Sequence, residues 1–253
     1  MSEKNKLDQY YTKPEIAKYF SKLIVDRYPD GIFVEPSAGH GSFSLNFTNI
    51  ISYDLEPKFE ECIEQDFLQS DLTSHENCVY VGNPPFGKNS SLALKFINKC
   101  MWNARAVCFI LPRTFKKVLF QERVNLNYSV VYEEDVAKNS FLLEGKEYDV
   151  PCVFQIWEKN VEQRVRFIPK NPYLQEVSPE AADLCVRRVG GKAGKILDGM
   201  VHSPSSTFFF KDTEGKIREK ILLLEEVLVE ESKNTAGVRS ISKREIEYYL
   251  NFP

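Results

Sequence analysis

The spacing of apolar residues changes repeatedly along the first 160 positions of the chain. Between Pro14 and Arg27, Ile16, Phe20 and Leu23 recur three or four residues apart, which predicts an amphipathic helix. Elsewhere, short apolar runs end in turns of glycine, proline and acidic residues, as buried strands do. The predicted strands are 31–36, 49–57, 62–67, 78–86, 104–112, 128–136 and 149–159, and further helices are predicted at 90–103 and from Thr114.

This alternation of strands and helices predicts an α/β fold with a parallel, doubly wound, Rossmann-like sheet. In such sheets, ligands bind outside the carboxyl ends of the strands. Because the polar turns of this chain follow predicted strands, we expect them to meet at one edge of the sheet and to form a ligand site there.

The pattern becomes irregular after Lys159, where three prolines interrupt a polar stretch. A strand is still predicted at 205–211, and an amphipathic helix at 215–232. We therefore predict two domains, residues 1–159 and residues 160–253, of which the second is a small C-terminal α+β domain.

Composition narrows the class of protein. Of the 253 residues, 43% are hydrophobic and 27% are charged, which is typical of a soluble globular protein. The longest apolar runs, such as Ala106–Leu111, are too short to span a bilayer, and the N-terminus lacks the apolar core of a secretory signal. We expect a cytoplasmic protein, or a nuclear one in a eukaryotic or viral setting, with no membrane contact. The net charge of −3 restricts any nucleic-acid contact to a local patch.

The six cysteines and three histidines do not have the spacings of disulfide frameworks or metal sites. No two cysteines form a C-x-x-C pair, and several lie inside apolar runs. We therefore expect reduced cysteines in the core, and neither a disulfide nor a metal ion.

The turn EPSAGHGSF, Glu35–Phe43, follows a predicted strand and contains glycines that let a ligand approach the backbone. Gly39 and Gly41 match two of the three glycines of the dinucleotide fingerprint, and Ser44 occupies the third position. Asp54 follows the next strand, where a carboxylate can accept both hydroxyl hydrogens of a ribose. It lies closer to Gly39 than the ~20 residues of the standard unit, so the intervening helix must be short. A tight turn without a ligand is the alternative.

Two further strand ends carry groups suited to planar rings that bear an amino group. Asp66 and Phe67 offer a carboxylate for an exocyclic amino group and an apolar face for the ring. After the fourth strand, Asn83 and the Pro84 carbonyl offer two hydrogen-bond acceptors. Phe86 offers a ring face on which a base flipped out of a nucleic-acid helix could stack. Two acceptors that grip an amino group favour a tetrahedral nitrogen whose lone pair points at an electrophile. The alternative for Asp66 is a surface acid in a loop, and the alternative for NPPF is a strand–loop junction that the prolines merely stiffen.

In this order, the turns resemble those of class I S-adenosylmethionine-dependent methyltransferases. NPPF resembles the (D/N/S)-P-P-(Y/F/W) signature of the amino-methyltransferases that make N6-methyladenine, and DQYYTKPEIA, Asp8–Ala17, resembles the N-terminal cofactor motif of the gamma-like order. The resemblance covers the methyltransferase domain, residues 1–159. It implies a seven-stranded methyltransferase sheet, S-adenosylmethionine as cofactor, and in-line methyl transfer without a metal. It implies catalytic roles for Asn83, Pro84, Pro85 and Phe86, and cofactor binding by Tyr11, Thr12, Glu35, Pro36, Ser37, Ala38, Gly39, Gly41, Asp54, Asp66 and Phe67.

A basic, glycine-rich segment in the second domain is the candidate contact with nucleic acid. Phosphates attract such a segment, and glycines let backbone amides approach them. We predict a hairpin-like binding segment in RRVGGKAGK, and a solvated basic loop is the alternative. Its cations are Arg187, Arg188, Lys192 and Lys195. Arg113, Lys116 and Lys117 near the end of the fifth strand are also basic, but there the solvated-loop interpretation is favoured.

The sequence favours an N6-adenine methyltransferase that acts on nucleic acid, with DNA preferred to RNA because of the gamma-like order. Methylation of ribosomal, small nuclear or cap-adjacent RNA is an alternative, as are methylation of a protein glutamine amide and a silent nucleic-acid-binding subunit. Each is compatible with a partner subunit. A nicotinamide oxidoreductase is disfavoured, because the third glycine is absent and NPPF would have no role.

Overall fold

A computed structural model of the chain describes residues 10–143, 145–168, 171, 173–197 and 201–251. The first two residues of the DQYYTKPEIA motif, Asp8 and Gln9, lie outside the described residues. Within the described ranges, no helix combines the length and the apolar character needed to cross a membrane.

The chain divides into two compact units. The first consists of Met1–Phe115 and Arg123–Val165, and the second of Lys116–Glu122 and Arg166–Pro253. The predicted boundary between residues 159 and 160 lies shortly before the end of the first unit. The segment 116–122 groups with the C-terminal part of the chain, a long-range association that no local pattern in the sequence signals.

The first unit contains helices and strands in the alternation that the sequence predicts. In chain order they are β1 (Tyr11–Thr12), α1 (Pro14–Arg27), β2 (Phe33–Glu35), β3 (Ile50–Asp54), β4 (Cys62–Glu64), β5 (Val79–Gly82), α2 (Ser91–Cys100), β6 (Ala106–Pro112), β7 (Tyr128–Asp135), β8 (Phe141–Leu143), β9 (Lys146–Tyr148) and β10 (Cys152–Lys159). The predicted helix at 14–27 and the seven predicted strands all have counterparts among these elements.

Seven strands form one sheet in the order β4-β3-β2-β5-β6-β10-β7. The strands from β4 to β6 are parallel, whereas β10 runs antiparallel to both β6 and β7. The chain runs outwards from β2 to β3 and β4, and then returns to the other side of β2 at β5. The predicted α/β, doubly wound, seven-stranded sheet is therefore confirmed, except that β10 departs from the predicted parallel course. Its topological switch point lies between β2 and β5, where the carboxyl ends of the strands leave a crevice for a ligand.

The centre of this sheet is apolar on both faces. All seven residues of β6 are buried, as expected for strands covered on both sides. On α1, Phe20 is buried and stacks on Phe154 of β10 with a centroid distance of 4.1 Å. The six cysteines are free thiols with buried side chains. Burial raises the pKa of the Cys108 thiol, so this side chain stays protonated and behaves as a small apolar residue.

Two connections determine where the N-terminal residues and the glycine turn lie. Between β2 and β3 there is only a 3-10 helix, Ser44–Asn46, which matches the short helix that the spacing of Asp54 requires. A separate three-stranded sheet, β1-β8-β9, holds Tyr11 opposite Leu142 and Thr12 opposite Phe141. The apolar pattern does not predict this sheet, because its strands are very short.

The second unit contains α3 (Val118–Gln121), β11 (Leu174–Glu176), β12 (Leu184–Arg187), β13 (Ile196–Leu197), β14 (Thr207–Asp212), α4 (Arg218–Leu223), α5 (Glu225–Lys233) and α6 (Lys243–Asn251). An antiparallel sheet in the order β11-β14-β12-β13 packs against α4, α5 and α6. Val186 and Phe210 of the sheet meet Ile221, Leu228 and Ile246 of the helices in one core cluster, which makes this unit α+β, as predicted.

The predicted helix at 215–232 is wrong in one respect, because the structure has two helices there. α4 and α5 meet at Leu224, whose φ of −90° and ψ of −2° lie in the bridge region. The periodic residues Ile221, Leu224 and Leu228 are all buried, so the apolar spacing identifies the correct face. No proline or glycine marks the kink, and the spacing alone therefore reads as one continuous helix.

Candidate active site

The carboxyl ends of β2, β3 and β5 border a cleft with a volume of about 310 Å³. Small-molecule sites in proteins typically measure ~300–1,000 Å³, so this cleft is large enough for one ligand. The sheet brings together residues from Tyr11 to Phe86 at this place. Of the predicted cofactor and catalytic residues, all except Gly41 line the cleft.

Asn83 presents an unused acceptor at this cleft. Its Nδ2 donates hydrogen bonds to the Tyr10 carbonyl at 3.2 Å and to Thr12 Oγ1 at 3.1 Å. Because a carbonyl oxygen can only accept, these contacts fix which way the amide is turned. Asn83 Oδ1 is buried and has no hydrogen-bond partner among the described residues. A buried polar atom left without a partner costs about 1–3 kcal/mol, so Oδ1 is suited to a donor supplied by a ligand.

The rest of NPPF forms a stiff connection from β5 to α2. Pro84 is buried and Pro85 is half-buried. The Phe86 carbonyl accepts hydrogen bonds from the first-turn amides of Leu92 and Ala93. The Phe86 ring is 8% exposed, so it offers a ligand only the part that lines the cleft.

The loop that follows NPPF has an unusual backbone conformation. Gly87, Asn89 and Ser90 all have positive φ, at 68°, 54° and 61°. Positive φ is uncommon for residues other than glycine, and such residues gather at functional sites. NPPF is therefore followed directly by a conformationally constrained loop.

Asp54 ties the glycine turn to the end of β3. Its Oδ2 accepts a hydrogen bond of 2.7 Å from the Gly39 amide, and its Oδ1 accepts one of 2.9 Å from the Glu56 amide. Gly39 has a φ of +53°, and a Cβ there would lie 2.9 Å from the Tyr11 ring. The Tyr11 ring in turn packs on His40 with a centroid distance of 4.3 Å. These contacts give the turn a fixed shape against the aromatic wall of the cleft.

Glu35 is the most buried acidic residue that lines the cleft, with 2% of it exposed. Ser44 donates two hydrogen bonds to its Oε2, one from the amide at 2.9 Å and one from the hydroxyl. Burial raises the pKa of the Glu35 carboxyl to about 8, and the Ser44 hydrogen bonds oppose this rise only in part. Gly82, with a φ of +127°, leaves room for the carboxyl, because a Cβ there would lie 3.0 Å from Glu35 Oε1. The ends of β2 and β5 can therefore approach closely.

The predicted adenine-binding pair has one exposed and one buried member. Asp66 is exposed, and its Oδ1 accepts a hydrogen bond of 2.9 Å from the Leu68 amide. Phe67 is 2% exposed and stacks on Phe96 with a centroid distance of 6.0 Å. Phe67 therefore belongs to the core, although it also lines the cleft. Leu55, which is 54% exposed and also lines the cleft, offers a more accessible apolar surface.

Gly41 stabilises the turn from outside the cleft. Its amide donates to the Ala38 carbonyl at 2.8 Å. Its φ is +77°, and a Cβ would lie 3.0 Å from the Phe59 ring. Glycine is needed at this position for the turn and for packing on Phe59.

Several residues that line the cleft are not predicted from the sequence. They include Tyr10, His40, Leu55, Lys58 and Phe96. His40 and Leu55 are direct neighbours of predicted residues, so the motifs themselves signal them. Tyr10, whose carbonyl holds Asn83, contributes through its backbone, which the identity of a side chain does not reveal.

The basic segment of the second unit forms a hairpin, because β12 pairs with β13 across it. Two of its four predicted phosphate contacts have partners within the unit. Arg187 Nη1 donates to Ser206 Oγ at 2.5 Å, and Lys195 Nζ lies 3.9 Å from Glu225 Oε1. The Arg188 guanidinium lies over the Phe208 ring at 5.3 Å, and Lys192 is exposed.

Two cations near the end of β6, Arg113 and Lys117, are engaged in ion pairs. Arg113 Nη2 lies 2.6 Å from Asp135 Oδ2. Lys117 is buried, with its Nζ 2.9 Å from Glu245 Oε1. Neither cation is therefore free to meet a phosphate backbone, and the solvated-loop interpretation is wrong for Lys117, because its side chain is buried in an ion pair. Among the described residues, no group of three or more His, Cys, Asp or Glu side chains could hold a metal ion.

Residues 44–174, just over half of the chain, match a family model described as the EDM2 methyltransferase-like domain. No curated protein gives a significant match.

Solved structures with a similar course of the chain include methyltransferases. A protein of Pyrococcus horikoshii, described as a candidate RNA methyltransferase, has 16% identity and a TM-score of 0.47 over 61% of this chain and 89% of its own. Methanocaldococcus jannaschii Trm5, solved with adenosine, has 14% identity and a TM-score of 0.41 over 60% of this chain and 50% of its own. The Type IIL restriction-modification enzyme MmeI, solved with DNA, has 12% identity and a TM-score of 0.40 over 93% of this chain and 53% of its own.

Proposed function

We propose that this chain, which belongs to the EDM2 methyltransferase-like domain family, transfers a methyl group from S-adenosylmethionine to the N6 amino group of adenine in nucleic acid, with DNA favoured over RNA. The observation that carries the proposal is the buried, unpartnered Asn83 Oδ1 at the cleft. An acceptor held in place without a donor suits a ligand that brings an N–H group.

The cleft residues fit S-adenosylmethionine. Asp54 stands at the end of β3, where a carboxylate can meet a ribose. Ser37 Oγ is a second buried polar atom without a partner in the described part of the chain, and it can bind the methionine end. Asp66 and Leu55 offer a polar and an apolar contact for an adenine ring. When bound, S-adenosylmethionine supplies an electrophilic methyl group on a positively charged sulfur.

In this proposal the chain itself acts by gripping and orienting the target nitrogen. Asn83 Oδ1 and the Pro84 carbonyl accept the two amino hydrogens, which favours a tetrahedral nitrogen with its lone pair directed at the methyl group. The Nδ2 contacts to Tyr10 and Thr12 keep the amide from turning. The rate enhancement then comes from the positioning of the target nitrogen and from preorganised acceptors. The part of the Phe86 ring that lines the cleft can contact the target base.

The hairpin 187–195 supports a nucleic acid over a protein amide as the substrate. NPPF alone suits a glutamine amide equally well, because that group also presents two N–H hydrogens. This glycine-rich segment contains no acid, and two of its cations, Arg188 and Lys192, are exposed, which suits phosphates better than a protein side chain. An RNA substrate uses the same chemistry and is the principal alternative to DNA.

A methyl-transfer screen tests the proposal. The purified chain and labelled S-adenosylmethionine are incubated separately with duplex DNA, single-stranded DNA and total RNA, and digested nucleosides are identified by mass spectrometry. N6-methyldeoxyadenosine is the expected product, and N6-methyladenosine in RNA alone would change the substrate. No methylated nucleoside, despite cofactor binding, would refute nucleic-acid methylation by the isolated chain.

A further inference from the structure

Two stretches of the second unit carry only positive charge. Neither 184–197 nor 232–244 contains an acidic residue, and each contains four cations. The cations are Arg187, Arg188, Lys192 and Lys195 in the first stretch, and Lys233, Arg239, Lys243 and Arg244 in the second. The stretches lie far apart in the sequence, which gives no sign that they are related.

The structure pairs these two stretches through their backbones. The Gly190 amide donates to the Arg239 carbonyl at 2.9 Å, and the Ile241 amide donates to the Arg188 carbonyl at 2.9 Å. Val189 and Ser240 form an antiparallel bridge between these two hydrogen bonds. The second stretch therefore lies beside the hairpin and adds its charge to the same part of the unit.

The cations of the paired stretches fall into two groups. Five have internal partners: Arg187 with Ser206, Lys195 with Glu225, Lys233 with Glu230, Lys243 with Glu176, and Arg244 with Glu122. Within the described residues, Arg188, Lys192 and Arg239 have no ion-pair partner, and all three are exposed.

Glycines near these three cations leave the backbone uncovered by side chains. A Cβ at Gly190, Gly191 or Gly237 would meet no atom within 4 Å, so these positions open directly to solvent. A phosphate backbone can therefore approach the main chain, whose amide groups often contact phosphates. The Arg188 guanidinium is already oriented by its position over Phe208, which reduces the entropy lost when it binds a phosphate.

We infer that Arg188, Lys192 and Arg239 form one phosphate-binding surface that holds the nucleic-acid backbone, a role that rests on the proposed function. Arg187 and Lys195, which the sequence pattern groups with Arg188 and Lys192, instead stabilise the hairpin. Arg239 is the addition that the sequence alone does not suggest. The surface reads no base sequence, because phosphate contacts position a protein without specifying bases.

Salt dependence of binding tests this surface. Binding of a fluorescein-labelled DNA duplex, and of an RNA strand in parallel, is followed by anisotropy between about 50 and 200 mM NaCl. The test variant is Arg188→Ala/Lys192→Ala/Arg239→Ala. The matched control, Lys195→Ala/Lys233→Ala/Lys243→Ala, removes the same charge from ion-paired positions. Lys192→Ala/Arg239→Ala spares the packed Arg188 and covers the case in which the triple variant does not fold.

For duplex DNA, log K falls as log salt rises, and each lost phosphate contact makes this negative slope shallower by about 0.9. The slope should therefore become shallower by about 2–3 in the triple test variant and by about 2 in the double variant. In the control variant it should change by less than about 1. Equal losses in test and control, or an unchanged slope in the test, would overturn the surface. If either result overturns the surface but the wild type methylates adenine, the proposed function still holds without this surface. A wild type that neither binds nor methylates nucleic acid would remove both.

Discussion

Thr12 Oγ1 accepts a hydrogen bond of 3.1 Å from Asn83 Nδ2, although the two residues are 71 positions apart in the chain. The contact joins β1 to the residue that follows β5. Thr12 itself is held opposite Phe141 by the pairing of β1 with β8. The small three-stranded sheet therefore takes part in the candidate active site, because it orients the amide that is proposed to grip the target nitrogen.

Replacing Thr12 with valine keeps the shape of the side chain and removes the acceptor. We expect the rate of methyl transfer at saturating cofactor to fall about 5- to 10-fold, the equivalent of one hydrogen bond of ~1 kcal/mol. Thr12→Ser retains the hydroxyl and is the control, with a rate close to that of the wild type. Single-turnover kinetics measure the effect, and a Thr12→Val variant as fast as the serine variant would show that the contact does not matter.

Asp54 is expected to bind the ribose and also to hold the Gly39 amide at 2.7 Å. Asp54→Ala removes both contacts, and a hydrogen bond to a charged group contributes about 1.5–3 kcal/mol. We therefore predict that the affinity for S-adenosylhomocysteine falls about 10- to 100-fold, as measured by calorimetry. Glu60→Ala, a change at an exposed residue outside the cleft, should leave the affinity unchanged. An unaltered affinity in Asp54→Ala would remove the ribose role.

Glu35 should make the stability of the fold depend on pH. Burial raises the pKa of its carboxyl to about 8 in the folded state, whereas the unfolded value is about 4.3. The folded state therefore binds the proton more tightly, and the stabilisation, complete below about pH 4, is lost as pH rises towards about 8.

The Glu35→Gln variant isolates this effect, because glutamine does not titrate. The slope of unfolding free energy against pH should be less steep in the variant than in the wild type, by at most ~1.4 kcal/mol per pH unit. Glu231, whose pKa burial raises to about 7, contributes in the same direction to both proteins. Identical slopes in urea titrations from about pH 5 to about pH 9 would contradict an uncharged Glu35 in the folded state.

Gly194 and Gly190 in the basic hairpin provide a matched pair. Both have positive φ, but a Cβ at Gly194 would lie 2.4 Å from the Leu228 carbonyl oxygen, whereas one at Gly190 would meet nothing within 4 Å. Gly190→Ala should cost about 1–2 kcal/mol of stability through backbone strain, and Gly194→Ala about 2–5 kcal/mol because a backbone clash is added. Equal unfolding midpoints for the two variants would show that α5 moves freely away from the hairpin.

The sequence predicts the large sheet well because its central strands are buried on both faces. Runs such as Ala106–Pro112 have no polar interruption, so their length and their turns identify them as strands. The hairpin of β8 and β9 lacks such a signal, since Lys146–Tyr148 is exposed throughout. Its pairing with β1 depends on a contact between distant segments, which local spacing does not record.

The same difference applies to the candidate site. The motifs at Gly39, Asp54 and Asn83 can be read from the sequence, because each follows a strand and combines residues with a particular chemistry. The sequence does not reveal that Asn83 Oδ1 lacks a hydrogen-bond partner. It follows from the positions of Tyr10 and Thr12, which only the folded chain brings to Asn83.

The most direct test of the proposed chemistry is the single-turnover rate of methyl transfer to adenine by Asn83→Ala, measured together with the affinity for S-adenosylhomocysteine. We predict a rate lower by at least ~10²–10³-fold, as for the loss of an oriented polar contact in a transition state, with cofactor affinity close to that of the wild type. Transfer at the wild-type rate would contradict the role of Asn83 Oδ1. A parallel loss of transfer and cofactor binding would instead make Asn83 a structural residue.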